Sequence, residues 1–338
     1  MQFRPSLFSV LLAAAVYVPP AAAHHSYLQY SREVRELRGE LMSLQWSNPH
    51  PTLEMRVTNN AGVAETWHLE SFSSPYVLSR MGVTRDEFEI GSEVTIAGRV
   101  SSRDPRQMLL THLLRADGSE VVVQANADPF WGGRAIGGDE NWLERSIATA
   151  ADENAGFFRV WSLDRIGNGA VHNPFTARAI AAREAFDEAG SYVWNCAQPG
   201  MPTAMLAAFP FEFVDAGDRL TMRVEYHDIV RTIRLDAAGD PATQPRSPQG
   251  YSVGRYEDGG RRLVVETTRI DWPWFDLLGT PQSPDVLITE TFTLAEDQSE
   301  LAYRRTVVDP LTFTEPATAE ATYLALGESI QPFDCRSE

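Results

Sequence analysis

Ile229-Val230-Arg231-Thr232-Ile233-Arg234-Leu235 and Val286-Leu287-Ile288-Thr289-Glu290-Thr291-Phe292-Thr293-Leu294 decide the fold of the second half of this 338-residue chain. Both stretches place an apolar side chain at every second position. That period belongs to a β-strand with one face in a core and the other in water. Each stretch breaks the rule once. Arg231 stands in line with Ile229, Ile233 and Leu235, and Glu290 stands in line with Val286, Ile288, Phe292 and Leu294. An unpaired charge in a core is too costly to survive, so each needs a partner. Arg231 and Glu290 are expected to point inward and to pair with one another, or with Glu225, Glu266 or Arg305.

Outward from these two, strands recur at short spacing over residues 157–163, 211–214, 219–226, 251–256, 262–268, 301–308 and 319–326. Turn formers separate them, such as Asp215-Ala216-Gly217-Asp218 and Glu257-Asp258-Gly259-Gly260. The spacing predicts an antiparallel meander that curls into a barrel of the calycin type, with a few short helices. One helix is expected over 176–186, capped by Thr176. In the first half, residues 34–46, 52–58 and 63–69 read as strands, the last two joined by Asn59-Asn60-Ala61-Gly62. Ser74-Pro75 opens a short helix that Gly82 closes. Strands follow at 93–100, 107–115 and 120–124. Three strands, a helix and two or more strands is the order of an OB-fold barrel. The chain is therefore mainly β. The expected organisation is an OB-like domain over 24–125, a linker over 126–156 with an exposed helix at 141–150, and a larger β domain over 157–338.

The start of the chain reads as an export signal over residues 1–23. Arg4 supplies a basic start, residues 7–18 an apolar run, Pro19-Pro20 a helix break, and Ala21-Ala22-Ala23 the small residues of a cleavage site. The expected location is the periplasm or outside the cell. No later apolar run is long enough to span a bilayer. A net charge of −17 argues against nucleic acid and anionic membrane surfaces, which would repel the chain. All basic residues are Arg, a pattern that GC-rich coding produces and from which no function follows. Two cysteines, Cys196 and Cys335, lie far apart and form no metal-type motif. In an oxidising compartment they are expected to form one disulfide, whose long loop allows up to about 5 kcal/mol of stabilisation.

Several motifs carry a family likeness. They are the signal ending in His24-His25-Ser26, then Trp46-Ser47-Asn48-Pro49-His50, and residues 91–98. In the second half they are Cys196-Ala197-Gln198-Pro199-Gly200-Met201-Pro202, Pro210-Phe211-Glu212-Phe213, Arg231-Thr232-Ile233 and Leu263-Val264-Val265-Glu266-Thr267-Thr268. As a set the chain resembles a family of uncharacterised exported two-domain proteins of Gram-negative bacteria. The resemblance implies a secreted architecture and brings no activity with it. It departs at one turn, where Tyr256-Glu257-Asp258-Gly259 replaces an expected Trp-Glu-Gly-Asp.

Three groups of residues could carry chemistry. The polar break in the second barrel suits a pocket for a small or amphipathic ligand, with Arg231, Glu290 and Glu266 as polar anchors and Trp272 and Trp274 as apolar walls. The same residues also suit a purely structural ion pair. The mature terminus, His24 and His25, with His50 on its proline-flanked loop, offers nitrogen ligands that favour Cu(II). The competing reading is a solvated leader and a stiff turn. His68 and His112 sit among strand neighbours and read as core or edge residues. Asp271-Trp272-Pro273-Trp274-Phe275-Asp276 sets two carboxylates beside aromatics, the ingredients of a sugar hydrolase when joined to Glu290. A loop packing its aromatics over the barrel mouth is the simpler reading of the stretch. The reading that follows is a periplasmic binding module, more readily than an enzyme, with a small molecule or a periplasmic protein as partner. A copper-binding protein and a sugar hydrolase are the alternatives.

Overall fold

A computed structural model describes residues 30–125, 127–138, 156–163, 170–186, 196–205, 209–235, 240–325 and 330–335. The expected signal, with His24 and His25, and the expected helix at 141–150 lie outside the described residues. The chain is mainly β and builds two closed sheets. No helix is long and apolar enough to cross a membrane among the described residues.

The first sheet is formed by β1 (Tyr30–Gln45), β2 (Thr52–Thr58), β3 (Ala64–Ser71), β4 (Glu93–Ser101), β5 (Gln107–Leu114), β6 (Glu120–Val122) and β7 (Ala135–Gly137). The order β3-β2-β1-β4-β5 closes on itself through a parallel β3–β5 pair. Helix α1 (Pro75–Arg80) enters between β3 and β4. That is the strand order and helix position of an OB barrel, as the sequence predicts. The local chemistry is direct. In the β2–β3 turn, Asn59 Oδ1 accepts from the backbone N–H of Ala61 and Val63, and Gly62 takes the left-handed φ of 77°. Ser74 Oγ accepts from Val77 N–H to cap α1, and Gly82 leaves it at φ 80°. Leu41, Met55, Leu69, Ile96 and Leu113 fill the interior. β7 falls inside the segment expected as a linker and pairs parallel to β6, so the first sheet reaches past residue 125.

The second sheet contains β8 (Val160–Leu163), β9 (Val171–His172), β10 (Phe211–Asp215), β11 (Arg219–Val224), β12 (Ile229–Arg234), β13 (Tyr251–Glu257), β14 (Arg262–Thr268), β15 (Leu287–Leu294), β16 (Glu300–Val308) and β17 (Ala317–Ala325). Nine of them close a ring in the order β8-β10-β11-β12-β13-β14-β15-β16-β17, and β9 extends the sheet from β17. The ring is not purely antiparallel, as the meander reading expected: β12 and β13 run parallel. The reason is one of parity. Directions can alternate around a closed ring only if the number of strands is even. A ring of nine therefore needs a parallel neighbour pair, as the five-stranded first barrel needs β3–β5. The β12–β13 seam is thin, joined at Ile233↔Ser252 and Arg234↔Val253.

Strand directions sort the connections of the second barrel into two ends. At one end the strands are joined by tight turns at 216–218, 258–261 and 295–299. At the other lie the long segments 269–286 and 309–316 and the turn at 225–228. This loop end is where the rest of the molecule gathers. Helix α2 (Ala177–Glu184) is capped by Thr176 Oγ1, which accepts from Ala179 N–H. Its Arg183 ion-pairs with Asp276 of the 269–286 segment. The tail 330–335 also reaches this end. Phe333 N–H donates to Asp228 Oδ1 at 3.0 Å, and its ring packs on Phe209, Tyr226 and His227. The Cys196–Cys335 disulfide ties the tail down, with Cα atoms 5.9 Å apart, as expected.

The same end meets the first barrel. Asn48 N–H donates to Asp334 O at 2.9 Å, and the Tyr76 and Ser162 hydroxyls hydrogen-bond at 2.5 Å. Arg80 Nη1 donates to Ser162 Oγ at 3.1 Å.

Candidate functional site

The polar layer of the second barrel lies just beneath its loop end. Arg231 is the third residue of β12, Ser252 the second of β13, Thr267 the second from last of β14, and Glu290 the fourth of β15. All four side chains point inward and are shut off from solvent. Arg231 Nη2 ion-pairs with Glu290 Oε2, with side-chain exposures of 1% and 0%. Arg231 Nη2 also donates to Thr267 Oγ1 at 2.7 Å, and its Nε donates to Ser252 Oγ at 3.2 Å. The Ser252 and Thr267 hydroxyls bond to one another at 2.9 Å. Tyr303 Oη donates to the remaining carboxylate oxygen, Glu290 Oε1, at 3.1 Å. Burial and the Glu290 charge push the Tyr303 phenol well above its ordinary range, which keeps it a donor. The pairing of Arg231 with Glu290 is thus the one read from the broken alternation.

This network has a position as well as a composition. Arg231 leaves β12 and reaches β13, β14 and β15 in turn. It therefore laces side chain to side chain across the thin parallel seam, where backbone pairing is short. A buried guanidinium with several partners is a rigid fork suited to that work.

A third charge shares the layer. β16 sets Leu301, Tyr303, Arg305 and Val307 on its inner face. Arg305 stands directly opposite Glu290 in the β15–β16 register and is 2% exposed. Its Nε is buried with no hydrogen-bond partner, and its guanidinium lies 5.3 Å from the Phe275 ring centroid. Arg231 Nη1 is likewise buried without a partner. Arg305 broke the alternation of its own stretch as plainly as Arg231 did. The sequence offered it only as a possible partner and missed it as a separate member of the layer.

The other candidates fall elsewhere. Glu266 is not in the interior: it lies on the exposed face of β14, 3.4 Å from Arg255 Nη1. Residues alternate faces along a strand, so with Val265 and Thr267 inward, Glu266 must face out. Glu225 is buried but serves the tail, accepting from Gln331 N–H at 3.0 Å. Trp272 and Trp274 belong to the 269–286 segment at the loop end. Trp272 Nε1 donates to Thr203 Oγ1 at 3.4 Å, its indole closing over Gly200, where a Cβ would lie 2.5 Å from Trp272 Cβ. Trp274 packs edge-on to Phe186. Trp272 packs against the barrel core, which Ile270, Phe275 and Val286 of this segment enter, Phe275 meeting Phe313 edge-on at 4.8 Å. Asp271 is exposed, while Asp276 is committed to Arg183, Thr280 Oγ1 and the Leu278 and Thr280 N–H groups. Asp271 and Asp276 belong to the loop-end segment, whereas Glu290 is shut inside the barrel.

His50 lies on the β1–β2 loop, its Nδ1 3.0 Å from Ser71 O, beside the Asn48 contact to the tail. His68 is exposed near Glu54, at 3.8 Å. His112 is buried between the Thr111 hydroxyl and Asp128 O, and burial lowers its pKa. No group of three His, Cys, Asp or Glu side chains is placed to hold a metal among the described residues.

Comparison with known proteins adds one likeness. A family model described as a family of unknown function, DUF6152, matches residues 11–108. That span covers the segment before β1 and the first barrel as far as the start of β5; the second barrel lies beyond it. No curated protein matches the chain.

Proposed function

We propose that the second barrel is a binding module for a small amphipathic molecule, in a protein exported to the periplasm or beyond. The carrying observation is the polar layer itself. Arg231, Glu290 and Arg305, with the Ser252 and Thr267 hydroxyls, lie inside a closed barrel whose interior is otherwise built from apolar and aromatic residues. Ligand sites have this composition: an apolar wall with a few convergent polar groups. Arg231 and Glu290 hold the frame. The loop end, with Phe275 and the tryptophan segment around it, is the side from which a ligand would approach. Export is supported by the character of residues 1–23 and by the disulfide, a bond of oxidising compartments.

Native mass spectrometry of the protein isolated from its own host tests the reading. The expected result is a discrete excess mass that survives gentle desolvation and is lost on unfolding. A bare polypeptide mass, together with no binding of dodecanol or dodecanoate in a fluorescence titration, rejects it.

A further inference from the structure

We infer that the ligand of the second barrel carries a single negative charge, a carboxylate on an apolar body, and that Arg305 receives it. The inference rests on the binding reading above and names the chemistry of that same site.

The argument starts from charge. The polar layer holds two guanidinium groups and one carboxylate, all inside the barrel. Glu290 accepts from Arg231 at one oxygen and from Tyr303 at the other. Arg305, its neighbour across the β15–β16 ladder, forms no hydrogen bond or ion pair with it. Among the described residues the guanidinium lies against the Phe275 ring, within electrostatic reach of the Tyr303 and Tyr323 phenols, and its Nε has no acceptor. Asp309, the next buried carboxylate along the chain, is taken by Ser283 N–H, Leu311 N–H and Thr312 Oγ1. A buried charge without a partner is a costly thing to keep in a core. A visiting carboxylate would fill both open positions, accepting from Arg305 and from the unused Nη1 of Arg231.

The count also fixes the size of the charge. The layer carries one net positive charge, so a monoanion leaves it neutral. A phosphate monoester, close to doubly charged at neutral pH, overshoots. Position agrees with this. Arg305 is three residues from the loop end of β16, and the ring above it, Phe275, belongs to a connecting segment and not to the barrel wall. Below Arg305 the inner face continues through Tyr303 and Leu301, beside Phe292 and Tyr323. These rings close on one another below Arg305, so the head group would sit at Arg305 and the apolar body among the loop-end residues around Phe275. Tyr303 and Tyr323 both have their phenols raised by burial, so each stays a neutral donor in such a layer.

The test titrates the full mature chain with three probes of one chain length: dodecanoate, dodecanol and dodecyltrimethylammonium. Binding is followed by tryptophan fluorescence at pH 8, where the acid is ionised. Dodecanoate is expected to bind at least tenfold more tightly than dodecanol, and the cation most weakly. Arg305→Met should bring dodecanoate down to the level of dodecanol while leaving dodecanol binding intact; Arg305→Lys should keep part of the preference. Equal affinity for dodecanoate and dodecanol in the native chain overturns the inference and leaves the binding reading standing. So does a preference for the cation, or an Arg305→Met protein that is folded by circular dichroism and still favours dodecanoate. No binding of any probe overturns the inference, and with a bare polypeptide mass in the native spectrum it overturns both.

Discussion

Replacing Glu290 with Gln isolates the charge of the buried layer from its shape. The amide is the same size as the carboxylate. Its oxygen can still accept from Arg231, and its NH2 can donate to Tyr303, whose hydroxyl then accepts instead of donating. Hydrogen bonds survive, and what disappears is the negative charge. Arg231 and Arg305 then share the core with no carboxylate beside them. Breaking a buried pair by removing one partner costs about 3–5 kcal/mol. With a urea m-value of roughly 2–3 kcal/mol per M, the unfolding midpoint of the second barrel should fall by about 1–2.5 M. Urea unfolding followed by tryptophan fluorescence measures this; where the two barrels unfold separately, the first should keep its midpoint. Adding Arg305→Met to the Glu290→Gln chain removes one of the two stranded cations. It should restore more stability there than it adds to the native chain, with a coupling on the order of 1–3 kcal/mol. A loss below about 1 kcal/mol for Glu290→Gln would refute the reasoning, because it would mean that the carboxylate does not offset the guanidinium charges.

Arg305→Met alone should raise the midpoint of the ligand-free protein, since it removes a buried cation that has no ion-pair partner among the described residues and whose Nε lacks an acceptor; an unchanged or lower midpoint under urea counts against this. Cys335→Ser opens a loop with a sequence separation of 139, for which chain entropy allows a loss of up to about 5 kcal/mol. Less than about 1 kcal/mol on chemical unfolding would show that the docked tail holds itself. Burial pushes His227 down to about 4, against the opposing pull of the Cys196 backbone and Asp228. Above pH 6.5 the ring is neutral in both states; between 6.5 and 4 only the unfolded chain takes up the proton, so stability falls with pH by up to about 3 kcal/mol. Urea midpoints at pH 7.5 and 5 should therefore differ less in His227→Asn, a residue that tolerates the φ of 53° there; an equal drop would discard His227 as the source. Gly200→Ala should cost about 1–3 kcal/mol, because its Cβ would meet Pro248 O at 2.4 Å and the Trp272 side chain; thermal unfolding reads the loss, and a neutral result would mean that the loop yields.

What was legible in the sequence is what short-range chemistry dictates. Alternation, the Asn59 turn, the Ser74 and Thr176 caps and the inward Arg231 and Glu290 all follow from neighbours within a few residues. Glu266 was legible too: the period that turned Leu263 and Val265 inward already turned Glu266 outward. What could not be read is pairing at a distance. Nothing local to β12 announces a parallel partner, and β7, three residues long, carries no period to detect. The tail contact joins Asn48 to Asp334 across nearly the whole chain. Arg305 lies between these cases. Its inward position was plain, but its lack of an ion-pair partner among the described residues depends on where the Glu290 oxygens and the Asp309 carboxylate point.

The odd strand numbers of the two barrels restrict how such a chain can change length. Inserting one strand between antiparallel neighbours would reverse the direction of every strand after it, whereas one strand at the β12–β13 junction, antiparallel to both, would close an even ring that alternates throughout. A hairpin, which adds two strands, leaves every direction and the single parallel junction as they were. Away from that junction, growth and trimming therefore come in twos. The tight-turn end of the second barrel is the place for them, because its turns at 216–218, 258–261 and 295–299 join antiparallel neighbours and stand clear of both the polar layer and the first barrel.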